Sequence, residues 1–532
     1  MNIGTKIYKN IKDYSEYLKD ESRFTGNASS ISFPKDDDEI KQIINYIKKH
    51  NSTITLQGSR TGITGGAVPY NGHIMNLSKM NKILAFRKDS TSNQFFITLQ
   101  PGILLSEINK NILNKDFKIQ EWDEESKRAY SIFRNEGMFF FPPDPTEPSA
   151  SLGGMIACNA SGASSLHYGP TRNYIEAIRI VFADTSSCWI KRNIHKVKGR
   201  TFNLILEGGK KIKGNIPSYV LPAVKNASGY FAKDNMDLVD LFIGSEGTLG
   251  IISQIEIKII PAPKEICGLI IFFLKAEEAL NFVRIVRKDE GFSIKSPNLS
   301  SKPVAIEFFD ENSLLMLKNQ KEHNPAFASL PEINTFPSTA IYIEYHSNEA
   351  DDIDNTLVSL TDIIKECGGN EDNTWFATNS NEMERLKAFR HAVPEAVNLT
   401  IDFKRKTYPE INKLGTDMAV PDNKLTEVFN MYDSTLCNVN LEHVIFGHVG
   451  DNHLHVNIIP HVPEEFDKGK AIYKEWAKKI IDIGGTVSAE HGIGKLKKEL
   501  LALMYGKKGI EEMKKVKKLF DPEEILNPGN LF

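Results

Sequence analysis

The chain has 532 residues, more than one hydrophobic core usually serves, so two or three domains are expected. Its apolar fraction of 41% and charged fraction of 25% are ordinary for a globular protein and exclude the fibrous and disordered classes. A net charge of −3 with mixed signs provides no field to attract nucleic acid or an anionic membrane surface. The five cysteines (Cys158, Cys188, Cys267, Cys367 and Cys437) are scattered, which excludes a clustered zinc or iron–sulfur motif and predicts reduced thiols in a cytoplasmic setting.

Met1 to Asp20 is polar and charged, without the apolar core of a signal peptide, and residues 1–30 read as a partly helical lead-in. After Pro34, acidic Asp36, Asp37 and Asp38 mark a helix start, Ile40, Ile43, Ile44 and Ile47 fall at helical spacing, and Lys48 and Lys49 close the helix. Thr53–Leu56 reads as a strand that runs straight into the glycine-rich loop 57–66. Phe95–Gln100 is a further strand, Phe141–Glu147 a Pro-rich irregular stretch, and Ser149–Gly169 a segment dense in Gly, Ala, Ser and Asn. The apolar run Leu241–Ile259 ends at Pro261 and Pro263, where a domain boundary is expected.

Beyond it, strand-like runs (Gly268–Phe273, Val304–Phe309, Ala340–His346, Val444–His448, His453–Ile459) alternate with helical ones (Ala276–Lys288, Asp351–Cys367, Asn381–Asn398). This predicts a second α+β domain with an antiparallel sheet. The tail Asp521–Asn530 reads as helix then turn. The apolar runs, about the length of Leu269–Leu274, are too short to span a bilayer.

Glycine-rich loops let backbone N–H groups approach a phosphate, and residues 57–66 suit that, with Arg60 adding charge. Neither a Rossmann fingerprint nor a P-loop is present. Three more segments are ordered behind the first: Ser151-Leu-Gly-Gly154 with Asn159 to Gly162 and Tyr168-Gly169, Gly244 to Ile252, and Asn527-Pro-Gly529. Together they resemble the FAD-binding domain of the vanillyl-alcohol oxidase / p-cresol methylhydroxylase superfamily, and within it the branch of D-lactate dehydrogenase, glycolate oxidase flavin subunits and D-2-hydroxyglutarate dehydrogenase.

The resemblance implies an α+β chain in four parts. These are a lead-in at 1–30, a two-lobed FAD-binding domain of the p-cresol methylhydroxylase type at 31–262, a substrate or cap domain at 263–510, and a segment at 511–532 that returns to the FAD domain. It places Gly58, Ser59, Arg60, Thr61, Gly62 and Gly65 at the pyrophosphate. Pro143, Asp144, Ser149, Ser151, Gly153, Gly154, Asn159 and Gly162 fall along the isoalloxazine and ribityl chain, Glu246, Gly247 and Ile252 on the adenine side, and Asn527 in the returning tail. No His lies in residues 57–66, so the FAD is expected to be noncovalent.

His448, His453, His455 and Asn457 lie in one short segment, the last three on one strand face, and Glu490-His491 forms a second glycine-flanked pair. Imidazoles with one carboxylate make a Zn or Mn site with an open position, although histidines satisfied by ordinary partners fit the same residues. The resemblance makes His448, His455 and Glu490 the metal ligands and His491 the base, and leaves His453 as a supporting residue. It assigns Arg390 and Lys413 to the substrate carboxylate, and the chain departs from the D-2-hydroxyglutarate pattern at Pro394.

The implied reaction is metal-assisted oxidation of a small D-2-hydroxy acid to the 2-keto acid, with hydride passing to flavin N5. Electrons then leave to a quinone, an electron-transfer flavoprotein, a partner subunit or oxygen. A homodimer and peripheral attachment at the inner face of a membrane are compatible with this reading. The alternatives are a non-redox FAD transferase of the alkyl-dihydroxyacetone-phosphate synthase type and a flavin subunit of a larger oxidase complex.

Overall fold

The computed structural model describes residues 6–289, 299–332 and 339–532. Its first unit is a three-stranded parallel sheet in which His73–Asn76 lies between Ser30–Ser32 and Ile54–Gln57. The helix Asp37–Lys49 packs on it as its sequence dictates: the Asp36 side chain caps the Glu39 N–H, and Ile40, Ile43, Ile44 and Ile47 are all buried. The C-terminal tail covers one edge of this sheet, where Ile54 N donates to Ile525 O at 2.7 Å and Asn527 N to Ile54 O at 2.8 Å.

The second unit is an antiparallel sheet in the order Ile83–Lys88, Phe95–Leu99, Ile251–Pro261, Ile175–Val181, Ser187–Lys191. Its central strand, Ile251–Pro261, turns alternate residues inward, so Ile251, Ile255, Ile257 and Ile259 are fully buried. The chain leaves this sheet at Pro261 and enters the next at Glu265.

The third unit is an antiparallel sheet in the order Trp375–Ala377, Glu265–Phe273, Thr339–Ser347, Pro303–Asp310, His443–Gly447, His453–Ile458, Leu414–Gly415. Helices Ala276–Arg287, Glu311–His323, Ala350–Glu366 and Ser380–Lys404 cover it. Strands covered on both faces lose the polar–apolar alternation of half-exposed ones, which is why every residue of His453–Ile458 is buried.

The tail departs from its expected form. The last helix, Lys498–Phe520, ends before the segment that reads as helical, and Asp521–Asn530 forms turns, with Glu524 and Asn527 at positive φ. The Asp521 carboxylate accepts from Ile525 N at 3.0 Å and Leu526 N at 2.8 Å, competing with a helical ladder. Among the described residues no helix is long and apolar enough to cross a membrane, and the cysteines are all free thiols.

Candidate active site

The hairpin His443–Gly447 to His453–Ile458 carries the first part of the site. His448 sits at its turn, and Phe446 pairs with His455 next to that turn, which leaves the His448 and His455 rings 5.4 Å apart. His453 and His455, two apart, share one strand face, and their rings lie 4.3 Å apart. Gly447, at φ +122°, is needed beside them, because a Cβ there would stand 2.7 Å from the His455 ring.

Glu490 and His491 arrive on the irregular loop that follows the helix Pro463–Asp482, and one buried carboxylate shapes that loop. Asp417 accepts from Ala489 N and Glu490 N at 3.1 Å each, from His491 N at 3.0 Å, from Ser488 Oγ at 2.6 Å and from Lys497 Nζ at 2.7 Å. Its own pKa lies well below the usual range: burial opposes ionisation, but His491 and Lys497 override it.

The rings converge on a single atom. Glu490 Oε1 lies 3.2 Å from His448 Nε2, 3.3 Å from His455 Nε2 and 3.4 Å from His491 Nε2. Its other oxygen accepts from Lys225 Nζ at 2.8 Å and Ser161 Oγ at 3.4 Å. Behind the rings, His448 Nδ1 meets Glu307 Oε1 at 2.7 Å and His455 Nδ1 meets the Thr416 carbonyl at 2.9 Å.

Those partners decide what the site can hold. A carbonyl can only accept, so His455 carries its proton on Nδ1, and its Nε2 lone pair faces the Glu490 carboxylate. Two acceptors 3.3 Å apart repel unless a proton or a cation stands between them. Tetrahedral Zn–N and Zn–O bonds of about 2.0–2.1 Å place neighbouring ligand atoms roughly 3.3 Å apart. His448, His455 and Glu490 therefore fit a divalent cation, with Glu307 supporting His448 as carboxylates support metal-bound imidazoles elsewhere. Burial alone would lower the His448 pKa, yet Glu307 and Glu490 hold it up at about 10.

Arg390 lies on the helix Ser380–Lys404, half-buried, and forms no ion pair among the described residues. Among the described residues its guanidinium hydrogen bond joins Nη2 to His391 Nε2 at 2.7 Å. Burial, followed by the Arg390 charge, lowers the His391 pKa to about 4, so that ring is a neutral acceptor. The carboxylates of Glu307, Asp144 and Glu344 act on Arg390 at longer range, and each is engaged elsewhere: Glu307 with His448, Asp144 with Ser164, Glu344 with His346 and Tyr342. The guanidinium thus keeps donors free for an incoming carboxylate.

Lys413 has different company. Burial, then Arg23, lowers its pKa to about 8, and the other charges acting on it are Asp402 and Glu21. None of these belongs to the histidine cluster.

The glycine-rich loops meet beside the cluster. A Cβ on Gly58 would stand 2.1 Å from Ser151 Oγ, and one on Gly162 2.0 Å from the Asp144 carbonyl oxygen. Ser151 caps the helix Leu152–Cys158 by accepting from Gly154 N, and Asn159 ends that helix at φ +52°. Gly153 packs on Pro101. Ser59, Arg60, Thr61, Gly62 and Gly65 continue the first loop, and nothing lies within 4 Å of a Cβ on Gly62. Pro143 is buried, Ser149 exposed and Ile252 partly buried. A cradle of backbone and small residues suits a flat ring with a pyrophosphate.

Glu246 ties the two halves. Its carboxylate accepts from Ile493 N at 2.6 Å and Gly494 N at 2.7 Å, on the loop after His491. Its carbonyl accepts from Asn527 Nδ2 at 2.6 Å, and Gly247 touches the same side chain. Gly494 (φ +52°) seats against the first loop, where a Cβ would stand 2.2 Å from the Thr64 carbonyl oxygen. Gly494→Ala is expected to cost about 1.4 kcal/mol or more in local strain and to weaken flavin retention about tenfold or more, measured by absorbance after desalting. Retention equal to wild type would show that the two loops are not coupled.

Sequence reasoning missed Asp417, Lys225, Glu307 and Ser161. Glu307 had a signal, since a lone acid within the apolar run Val304–Phe309 must find a buried partner. The other three had none.

Comparison with known proteins agrees with this architecture. Residues 263–531 match the family described as FAD linked oxidases, C-terminal domain, and residues 28–123 match an FAD binding domain. The chain is 28% identical to a D-lactate dehydrogenase of Anaerostipes hadrus, over 93% of this chain and 87% of that one. It is 26% identical to the glycolate oxidase subunit GlcD of Bacillus subtilis (96% and 90% covered) and 25% identical to a D-2-hydroxyglutarate dehydrogenase of Stutzerimonas stutzeri (99% and 96% covered). A solved alkyldihydroxyacetonephosphate synthase shares the fold, with a TM-score of 0.60 at 14% identity over 98% of this chain and 82% of that one.

Proposed function

Since this chain belongs to the FAD linked oxidases, we propose that it oxidises a small D-2-hydroxy acid to the 2-keto acid. The observation that carries the reading is the convergence of three imidazole nitrogens on one buried carboxylate oxygen beside FAD-type loops. The relatives named for D-lactate, glycolate and D-2-hydroxyglutarate support the substrate class. A flavin held by residues 58–65, 143–162, 246–252 and Asn527 would supply the acceptor for the two electrons and hydrogen leaving C2. A Zn or Mn ion held by His448, His455 and Glu490 would supply positive charge beside the substrate hydroxyl.

The chain's own groups do the rest. Arg390 takes the substrate carboxylate with its unengaged donors, the geometry in which a guanidinium grips best. His491 takes the hydroxyl proton. Burial holds its pKa below the ordinary value despite Asp417 and Glu490, so the ring is neutral at pH 7. Asp417 Oδ2, 3.4 Å from His491 Nδ1, holds the base in place, and against burial His448 and then Lys225 hold Glu490 ionised. Lys413 is the less direct candidate for the carboxylate, given its neighbours.

Anaerobic mixing of the purified protein with D- and L-2-hydroxy acids tests this. Flavin absorbance is expected to bleach with at least one D-acid and with none of the L-acids. A flavin that no hydroxy acid reduces would instead favour the non-redox transferase reading.

A further inference from the structure

We propose that His453 is a fourth protein donor to the cation held by His448, His455 and Glu490. The inference rests on the metal reading above and adds a residue to it. Ligand atoms of these four side chains lie within 4.8 Å of one another, and all four are buried.

His453 is the unexplained member of the group. Its side chain is fully buried, and Nδ1 has no hydrogen-bond partner. Nε2 lies 3.1 Å from Asp417 Oδ1 and is engaged by that carboxylate. A buried polar group left without a partner costs roughly 1–3 kcal/mol. Its neighbours His448 and His455 both have their Nδ1 atoms occupied, by Glu307 and by the Thr416 carbonyl, while His453 has its Nδ1 to spare. The strand sets its ring on the His455 face, 4.3 Å from that ring and 5.4 Å from His448. An imidazole held among two other imidazoles and a carboxylate, with a free lone pair, is what a cation site requires.

The consequence concerns which ion fits. Four protein donors would close a tetrahedral ion and leave no position for substrate. An ion that accepts five or six ligands keeps room, as Mn²⁺ does and a four-coordinate Zn²⁺ does not. The structure therefore assigns this chain a three-imidazole, one-carboxylate site with higher coordination.

X-ray absorption of the purified full-length protein loaded with Co²⁺ counts the imidazoles without any substitution. Three imidazoles and five or six donors are expected, and two imidazoles would overturn the inference. His453→Asn and His453→Gln provide a second arm, each keeping a polar side chain in the pocket. Both are expected to weaken Co²⁺ binding about tenfold or more, measured against a chromophoric chelator, and to shift the visible Co²⁺ spectrum. Unchanged affinity overturns the inference, and so does weakened affinity with an unchanged spectrum, because His453 would then only position the true ligands. Failure of the wild-type protein to bind any divalent metal would overturn the metal reading itself, a different result from a two-imidazole site.

Discussion

Asp417→Ala is expected to lower kcat/KM for the 2-hydroxy acid about a hundredfold to several thousandfold while leaving the chain folded. The carboxylate is fully buried and accepts from three consecutive backbone N–H groups, from Ser488 and from Lys497. Removing it strands the Lys497 ammonium and orphans the Glu490 and His491 N–H groups, while Ala489 N keeps its bond to the Asp417 carbonyl at 2.8 Å; the penalty is about 3–5 kcal/mol for an uncompensated buried charge. The penalty falls on residues 488–491, so the loop is expected to relax rather than the molecule to unfold. At 1.36 kcal/mol per tenfold in rate, that range corresponds to about a hundredfold to several thousandfold. Steady-state kinetics read the loss, and limited proteolysis within residues 484–497 reads the relaxation. Asp417→Asn is expected to fall between, because one amide oxygen can still accept while its NH₂ faces Lys497. If Asp417→Ala retained activity within about threefold of wild type, less than 1 kcal/mol would separate them, and Asp417 would not position Glu490 and His491.

Arg390→Ala carries the second large effect, a loss in kcat/KM of about a hundredfold to a thousandfold, from about 3–4 kcal/mol of charge-assisted, two-point contact with a carboxylate. No ion pair within the described residues is broken by the change, so stability is expected to move little. Arg390→Lys is expected to recover only part of the activity, since an ammonium lacks the fork geometry. The split between kcat and KM is informative: a rise in KM alone means ground-state binding, and an equal fall in kcat means that Arg390 also aligns C2. Unchanged kinetics in Arg390→Ala would remove it from the substrate site and return attention to Lys413.

Much of the framework was legible in the residues. The helix Asp37–Lys49 announced its cap, its apolar spacing and its basic end, and all three are realised. The strand and helix runs after Pro263 match elements of the third sheet and its covering helices to within a few residues. The tail misled because its spacing is helical while the Asp521 carboxylate takes the N–H groups of Ile525 and Leu526, a competition that periodicity does not register.

The sequence by itself determined the glycine loops, the shared face of His453, His455 and Asn457, and the identity of Glu490 and His491 as a pair of interest. Each of these is a local property, set by Cβ sterics or by the two-residue period of a strand. Only the tertiary structure decided that three rings would meet one carboxylate oxygen, that Asp417 would hold the loop carrying that oxygen, and that Glu307 would stand behind His448. It also decided that His453 would be buried with Nε2 against Asp417 and Nδ1 unspent. Contacts of this kind join separate strands and loops across the sheet, and their distances follow from how the layers pack, which no spacing along the chain encodes.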